Sequence, residues 1–207
     1  MILAQRFASF FVLVAASLAF ADAAGDYTGK PYNKTPVEVP GVIKATEYDV
    51  APGNANGVSF NYRSAPKPGK IRTTNDCIGL AKFGKGHVTT KGDAEDADQT
   101  YLGWTQVGEW TKYTLHVKEA GTYVIGGHFA AGLKGAKVLF TFGDLSTGPL
   151  EIPTTAGFVP GVEVYHVWER LENLAEVKLP AGDVVMTVKI EAVAGINIES
   201  ITLTKKP

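Results

Sequence analysis

The sequence predicts an all-β fold, an antiparallel sandwich of the jelly-roll kind, and three observations carry that prediction. Apolar residues recur at every second position in several segments of strand length, 23 Gly and 11 Pro supply frequent turn signals, and no long stretch repeats with a helical period. At 207 residues with 45% hydrophobic side chains, the chain has enough apolar content for one sizeable core and too little length for two domains to be expected.

Residues 1–23 are expected to be a signal peptide. Arg6 stands in a short polar start, residues 7–20 are almost wholly apolar, and Ala21-Asp22-Ala23 has the small-x-small pattern of a cleavage site. The apolar run is short for a membrane span, which needs about 20 residues, and no second run of that length follows. Residues 24–40, rich in Pro, Gly and polar side chains, are expected to be a linker ahead of a domain over residues 41–205. Secretion invites disulfides, yet the sequence holds only Cys77, so the core has to stand without an internal covalent staple.

The clearest strand signal lies in residues 109–117, where Thr111, Tyr113, Leu115 and Val117 fall on one face and Lys112, Thr114 and His116 on the other. Lys118-Glu119-Ala120-Gly121 then turns the chain into a second strand at 122–130, and the two are expected to form a hairpin. Residues 136–142, 165–171, 184–191 and 196–204 repeat the pattern, with Pro180-Ala181-Gly182-Asp183 as a turn. Residues 61–70, 82–99 and 143–160 are left as long loops, which on a sandwich is where recognition surfaces usually sit.

Lys plus Arg (20) nearly balances Asp plus Glu (21), so no global field draws the chain to nucleic acid or an anionic membrane. Nucleotide and serine-hydrolase motifs are absent, and His87, His116, His128 and His166 have no tight metal-ligand spacing. Asp93, Glu95, Asp96 and Asp98 form a dense acidic loop without the spacing of a calcium-binding EF-hand, which reads as a solvated charge run. Glycoside hydrolysis needs two convergent carboxylates, and Glu109 with Glu199 is the one pair worth testing. What remains is a set of aromatic residues near strand ends, Trp104, Trp110, Tyr165 and Trp168. A pyranose offers a flat C–H face ringed by hydroxyls, so an aromatic plate beside amide or carboxylate groups is the chemistry that takes it.

The string Gly103-Trp104-Thr105-Gln106-Val107-Gly108-Glu109-Trp110, running into Tyr113-Thr114-Leu115 and then Ala120-Gly121-Thr122-Tyr123, closely resembles carbohydrate-binding module family 6. Ile43-Lys44-Ala45-Thr46-Glu47-Tyr48, Tyr165-His166-Val167-Trp168, Leu179-Pro180-Ala181-Gly182 and Asn197-Ile198-Glu199-Ser200-Ile201 match further motifs of that family in order, over about residues 41–204. The resemblance implies a secreted, non-catalytic protein that binds a polysaccharide at one loop edge, a β-glucan (β-1,3-linked first) or a xylan type. It implies Trp104 and Tyr165 as the two plates and Asn197 as the hydrogen-bonding amide. It leaves Glu109 either accepting a sugar hydroxyl or tying down its turn, and it puts Trp110 and Trp168 in the core. Many members hold a structural calcium on two glutamates of the opening strand; here those positions are Lys44 and Thr46, which argues against the ion, so no cofactor or metal is expected. The competing reading is a structural or adhesive extracellular protein using the sandwich for protein contacts, with Trp104 and Tyr165 occluded.

Overall fold

The structure, a computed structural model, describes residues 26–62, 71–72, 79–157, 159–193 and 195–207. The expected signal peptide, most of the 61–70 loop and Cys77 lie outside them. Thirteen strands follow in order: β1 Val37–Val39, β2 Gly41–Lys44, β3 Phe60–Asn61, β4 Leu80–Lys82, β5 Val88–Thr89, β6 Thr100–Leu102, β7 Trp110–Val117, β8 Gly121–Ala131, β9 Lys137–Phe142, β10 Leu145–Glu151, β11 Val167–Leu179, β12 Gly182–Ala192 and β13 Ile196–Lys205. One sheet runs β1-β7-β12-β9-β10 with β3 also on β7, the other β4-β6-β13-β8-β11-β5 with β2 also on β13. The two face each other as a β-sandwich of jelly-roll type.

Alternation decides which side chains fill the space between the sheets. Tyr113, Leu115 and Val117 of β7, Val138, Phe140 and Phe142 of β9, and Val184, Met186 and Val188 of β12 meet Tyr123, Ile125 and Phe129 of β8 across one continuous core. On β13 the buried series changes parity, from Ile196 and Ile198 to Ile201 and Leu203. The change falls at a register shift between Ile198 and Ser200, where an extra residue lets the strand keep its apolar face inward.

Four expectations need correction. β7 and β8 are not a hairpin: β7 pairs with β12, β1 and β3, and β8 with β11 and β13. Residues 118–120 are an arch between the sheets, so that two strands with inward-facing odd positions oppose each other across the core instead of sharing a sheet. The Tyr123 hydroxyl fastens the arch by donating to the Glu119 carbonyl at 2.7 Å. Second, the 143–160 loop contains β10, an edge strand on β9 whose register slips between Ser146 and Pro149. Pro cannot donate to a ladder and is confined to such edges, which hides the strand in the sequence.

Third, residues 26–40 of the expected linker are docked on the sandwich. β1 lies parallel to β7, Lys30 and Val50 exchange backbone hydrogen bonds, and the Tyr27 hydroxyl sits 2.9 Å from Asp49 Oδ2. Fourth, Trp110 is outside the core. It stands on the outer face of β7, half-buried, with Lys112 Nζ 5.3 Å from its ring. Trp168 is fully buried, but in a smaller cluster with Phe83, Tyr101 and Ala130 on the outer face of the second sheet.

Candidate functional site

At one edge of the sandwich the loop after β6, the approach to β11 and the start of β13 enclose a cavity of about 580 Å³. Trp104, Tyr165 and Asn197 all line it, together with Tyr101, Leu133, Glu163 and His166. The three residues the sequence singled out come from positions far apart in the chain, and the fold brings them to one place.

Trp104 is held by its neighbours. Gly103 donates its backbone N–H to the Gly79 carbonyl at 2.7 Å, and a Cβ on Gly103 would stand 2.7 Å from the Tyr101 ring, so the approach tolerates only glycine. On the other side, Thr105 is buried; its Oγ1 donates to the Ile196 carbonyl at 2.7 Å and accepts the Ile196 N–H at 3.0 Å. Trp104 between these staples has φ 52, a left-handed backbone that costs a bulky residue on the order of 1–3 kcal/mol. The side chain is 67% exposed. The indole is thus presented to solvent from a strained, doubly anchored backbone and is not part of the core.

Asn197, only 5% exposed, donates from Nδ2 to the Tyr165 carbonyl at 2.7 Å. The Tyr165 ring lies against the backbone of Gly132 and Gly195, where a Cβ would come within 2.2 Å and 2.7 Å of it. The amide thus ties the second aromatic to β13, and two glycines leave the room in which that ring rests.

Glu109 does not line the cavity. It is buried, its Oε2 accepts the Gln106 N–H at 2.9 Å, and its backbone bridges Gln106 and Ile190. Of the two roles left open for it, this geometry gives the turn. Glu199 also lies away from the cavity, with Oε2 accepting from Ser200 Oγ at 2.6 Å and lying 3.4 Å from His128 Nδ1. The carboxylate pair considered for hydrolysis is therefore not brought together at this edge. Glu95, read as part of a solvated acidic run, has a side chain only 7% exposed and places its carboxylate 3.2 Å from His128 Nε2.

At the positions where the resemblance puts calcium-binding glutamates, Thr46 is buried and its hydroxyl pairs with that of Thr100 at 3.0 Å. The Arg72 guanidinium donates to the Thr46 carbonyl and stacks over Tyr48. Lys44, two residues earlier at the end of β2, puts an ammonium where the resemblance has the other carboxylate. Among the described residues, no group of three His, Cys, Asp or Glu side chains is arranged to hold a metal.

Behind Tyr165 the structure adds a feature that no sequence spacing announced. Trp168 and His87 lie side by side, centroids 6.0 Å apart, and Phe83 stacks on both at 4.4 and 4.8 Å. His166 stacks on His87 at 3.9 Å, so the cluster reaches from the buried Trp168 to His166 at the cavity wall.

No protein-family model matches the chain, nor does any curated protein. Solved structures share the fold. A family 6 carbohydrate-binding module from Cellvibrio mixtus lichenase 5A, in complex with cellotriose, is 17% identical with a TM-score of 0.54, over 81% of this chain and 98% of that one. The C-terminal family 6 module of a marine laminarinase from Zobellia galactanivorans is 17% identical with a TM-score of 0.53, over 79% and 98%. A β-1,3-glucan-binding family 6 module from Bacillus halodurans is 14% identical with a TM-score of 0.53, over 82% and 99%. The chain therefore has the family 6 module fold across most of its length.

Proposed function

We propose that this chain is a secreted carbohydrate-binding module that takes a neutral polysaccharide at the loop-edge cavity and does no chemistry on it. The observation that carries the reading is Trp104, an exposed indole fixed on a strained backbone at the mouth of a cavity shared with Tyr165 and Asn197. Aromatic faces supply the apolar contact that a pyranose C–H face needs, while the polar groups beside them take its hydroxyls. The exposure of Trp104 counts against the occluded, purely structural alternative. The named ligands of the three solved modules, cellotriose for one and β-1,3-glucan for another, favour a β-glucan over a xylan, with the β-1,3 linkage first. The reading includes no resident calcium and no catalytic pair, since Glu109 and Glu199 have other partners.

The test is a calorimetric titration of residues 24–207 with soluble β-1,3-glucan, cello-oligosaccharide and xylan, beside Trp104→Ala and Tyr165→Ala. Binding to one class that drops about tenfold in each variant, the loss of roughly 1.5 kcal/mol of stacking, with no release of reducing sugar, is the expected outcome. A folded protein that binds none of them ends the reading.

A further inference from the structure

His166 closes one wall of the cavity, and what holds it there is another histidine. The His87 ring lies against the His166 ring at 3.9 Å and 22°. His87 is itself buried, and its Nδ1 accepts the indole N–H of Trp168 at 3.0 Å. That hydrogen bond fixes the tautomer: Nδ1 must be bare, so the proton of the neutral ring is on Nε2. A protonated His87 would turn a donor toward the indole N–H and set a cation against His166.

We propose that His87 is a positioning residue for the cavity, acting through His166, and that protonation of His87 loosens the wall and releases ligand in acid. The proposal rests on the glycan-binding reading and adds the regulation of that site. The groups facing the pair come from every element packed on it. Trp168 is on β11, Tyr101 on β6 and Phe83 after β4, while Glu163 on the approach to β11 has Oε2 3.5 Å from His166 Nδ1. His128, with Glu95 and Glu199 at its two nitrogens, lies beyond Phe83 and Trp168. Among the described residues no carboxylate pairs with His87 itself, so nothing there compensates a charge on its ring.

Burial, and after it the charge of His166, hold His87 down from its ordinary 6.5 to about 4. A loosened wall returns the ring to water and to the ordinary value. Loosening therefore takes up a proton between these two values, and it is favoured progressively as pH falls from 6.5 to 4 and unaffected above 6.5.

The experiment titrates a β-1,3-glucan hexasaccharide into the wild-type chain and into His87→Gln at intervals between about pH 7.5 and about pH 3.5, and follows the Trp168 indole N–H by NMR without ligand. The Gln amide oxygen accepts the indole N–H and takes up no proton. Wild-type affinity is expected to fall about tenfold across the window, and that of His87→Gln less than about threefold, with the indole resonance moving only in the wild type. Equal losses in both proteins, or a wild-type indole resonance that does not move, overturn the proposal. Should His87→Gln fail to fold, His166→Gln serves: removing the neighbouring ring that holds His87 down moves the midpoint of the indole shift to higher pH, and an unmoved midpoint overturns the proposal. A hexasaccharide that binds at no pH removes the β-1,3-glucan from the glycan reading, and the indole titration then decides the role of His87 by itself.

Discussion

The space between the two sheets and the ring cluster of Trp168, Phe83, His87 and His166 are made differently. Between the sheets, Val, Ile, Leu, Met and Phe interdigitate, and the polar atom of Tyr113 is spent inside, its hydroxyl donating to the Ala45 carbonyl at 2.8 Å. In the ring cluster every member but Phe83 carries a ring nitrogen, and the indole N–H of Trp168 is committed to His87 Nδ1. The first interior is close-packed and indifferent to the solution. The second is oriented by hydrogen bonds, answers to protons and ends at the cavity. One supplies stability, and the other holds a surface in shape.

The contrast can be broken from either side. Phe140, fully buried on β9, has the largest stake in the first interior: Phe140→Ala is expected to cost about 3–5 kcal/mol of unfolding free energy by calorimetry, with ligand affinity unchanged where the protein is folded. A loss of stability under about 1 kcal/mol would mean that the sheets close over the gap. At the other end, Trp104→Gly is expected to move two quantities in opposite directions. Glycine accepts the left-handed backbone freely, so denaturant melts should show a gain of up to about 1 kcal/mol while glycan affinity falls at least about tenfold. A stability loss there would mean that the indole packs after all. Smallest is the exposed pair of Lys118 Nζ and Glu38 Oε2 at 2.6 Å: Lys118→Ala should leave the denaturant midpoint within replicate error and glycan affinity unchanged.

These two interiors were unequally legible in the sequence. Period-two alternation is a local property, and it marked β7, β8, β12 and β13 because each sends alternate apolar side chains into the space between the sheets. It says nothing about which sheet a strand joins, so the 118–121 turn read as a hairpin when it is an arch. The outward position of Trp110 was readable by parity, since Tyr113, Leu115 and Val117 point inward and an even position in the same strand cannot. At the site, Trp104, Tyr165 and Asn197 stood out through the resemblance and line a common cavity. Glu109 stood out equally and is spent on its own turn, because a motif position does not reveal whether a carboxylate faces ligand or backbone. His87 and His166 carry no shared motif; only the parallel pairing of β5 with β11, Val88 beside Val167, brings their neighbouring rings face to face.

The place of β13 in its sheet has a consequence for how the molecule comes to be. It comes last in order of the thirteen strands described, yet it lies inside its sheet with β8 along one side and β2 and β6 along the other. A growing chain therefore holds β2 and β6 without their partner until residues 196–205 have been made. The second sheet cannot close piecemeal during synthesis, and because β13 also supplies Asn197, no partly made chain has the cavity. Closure of this sheet and completion of the binding edge are one event, set by residues 196–205.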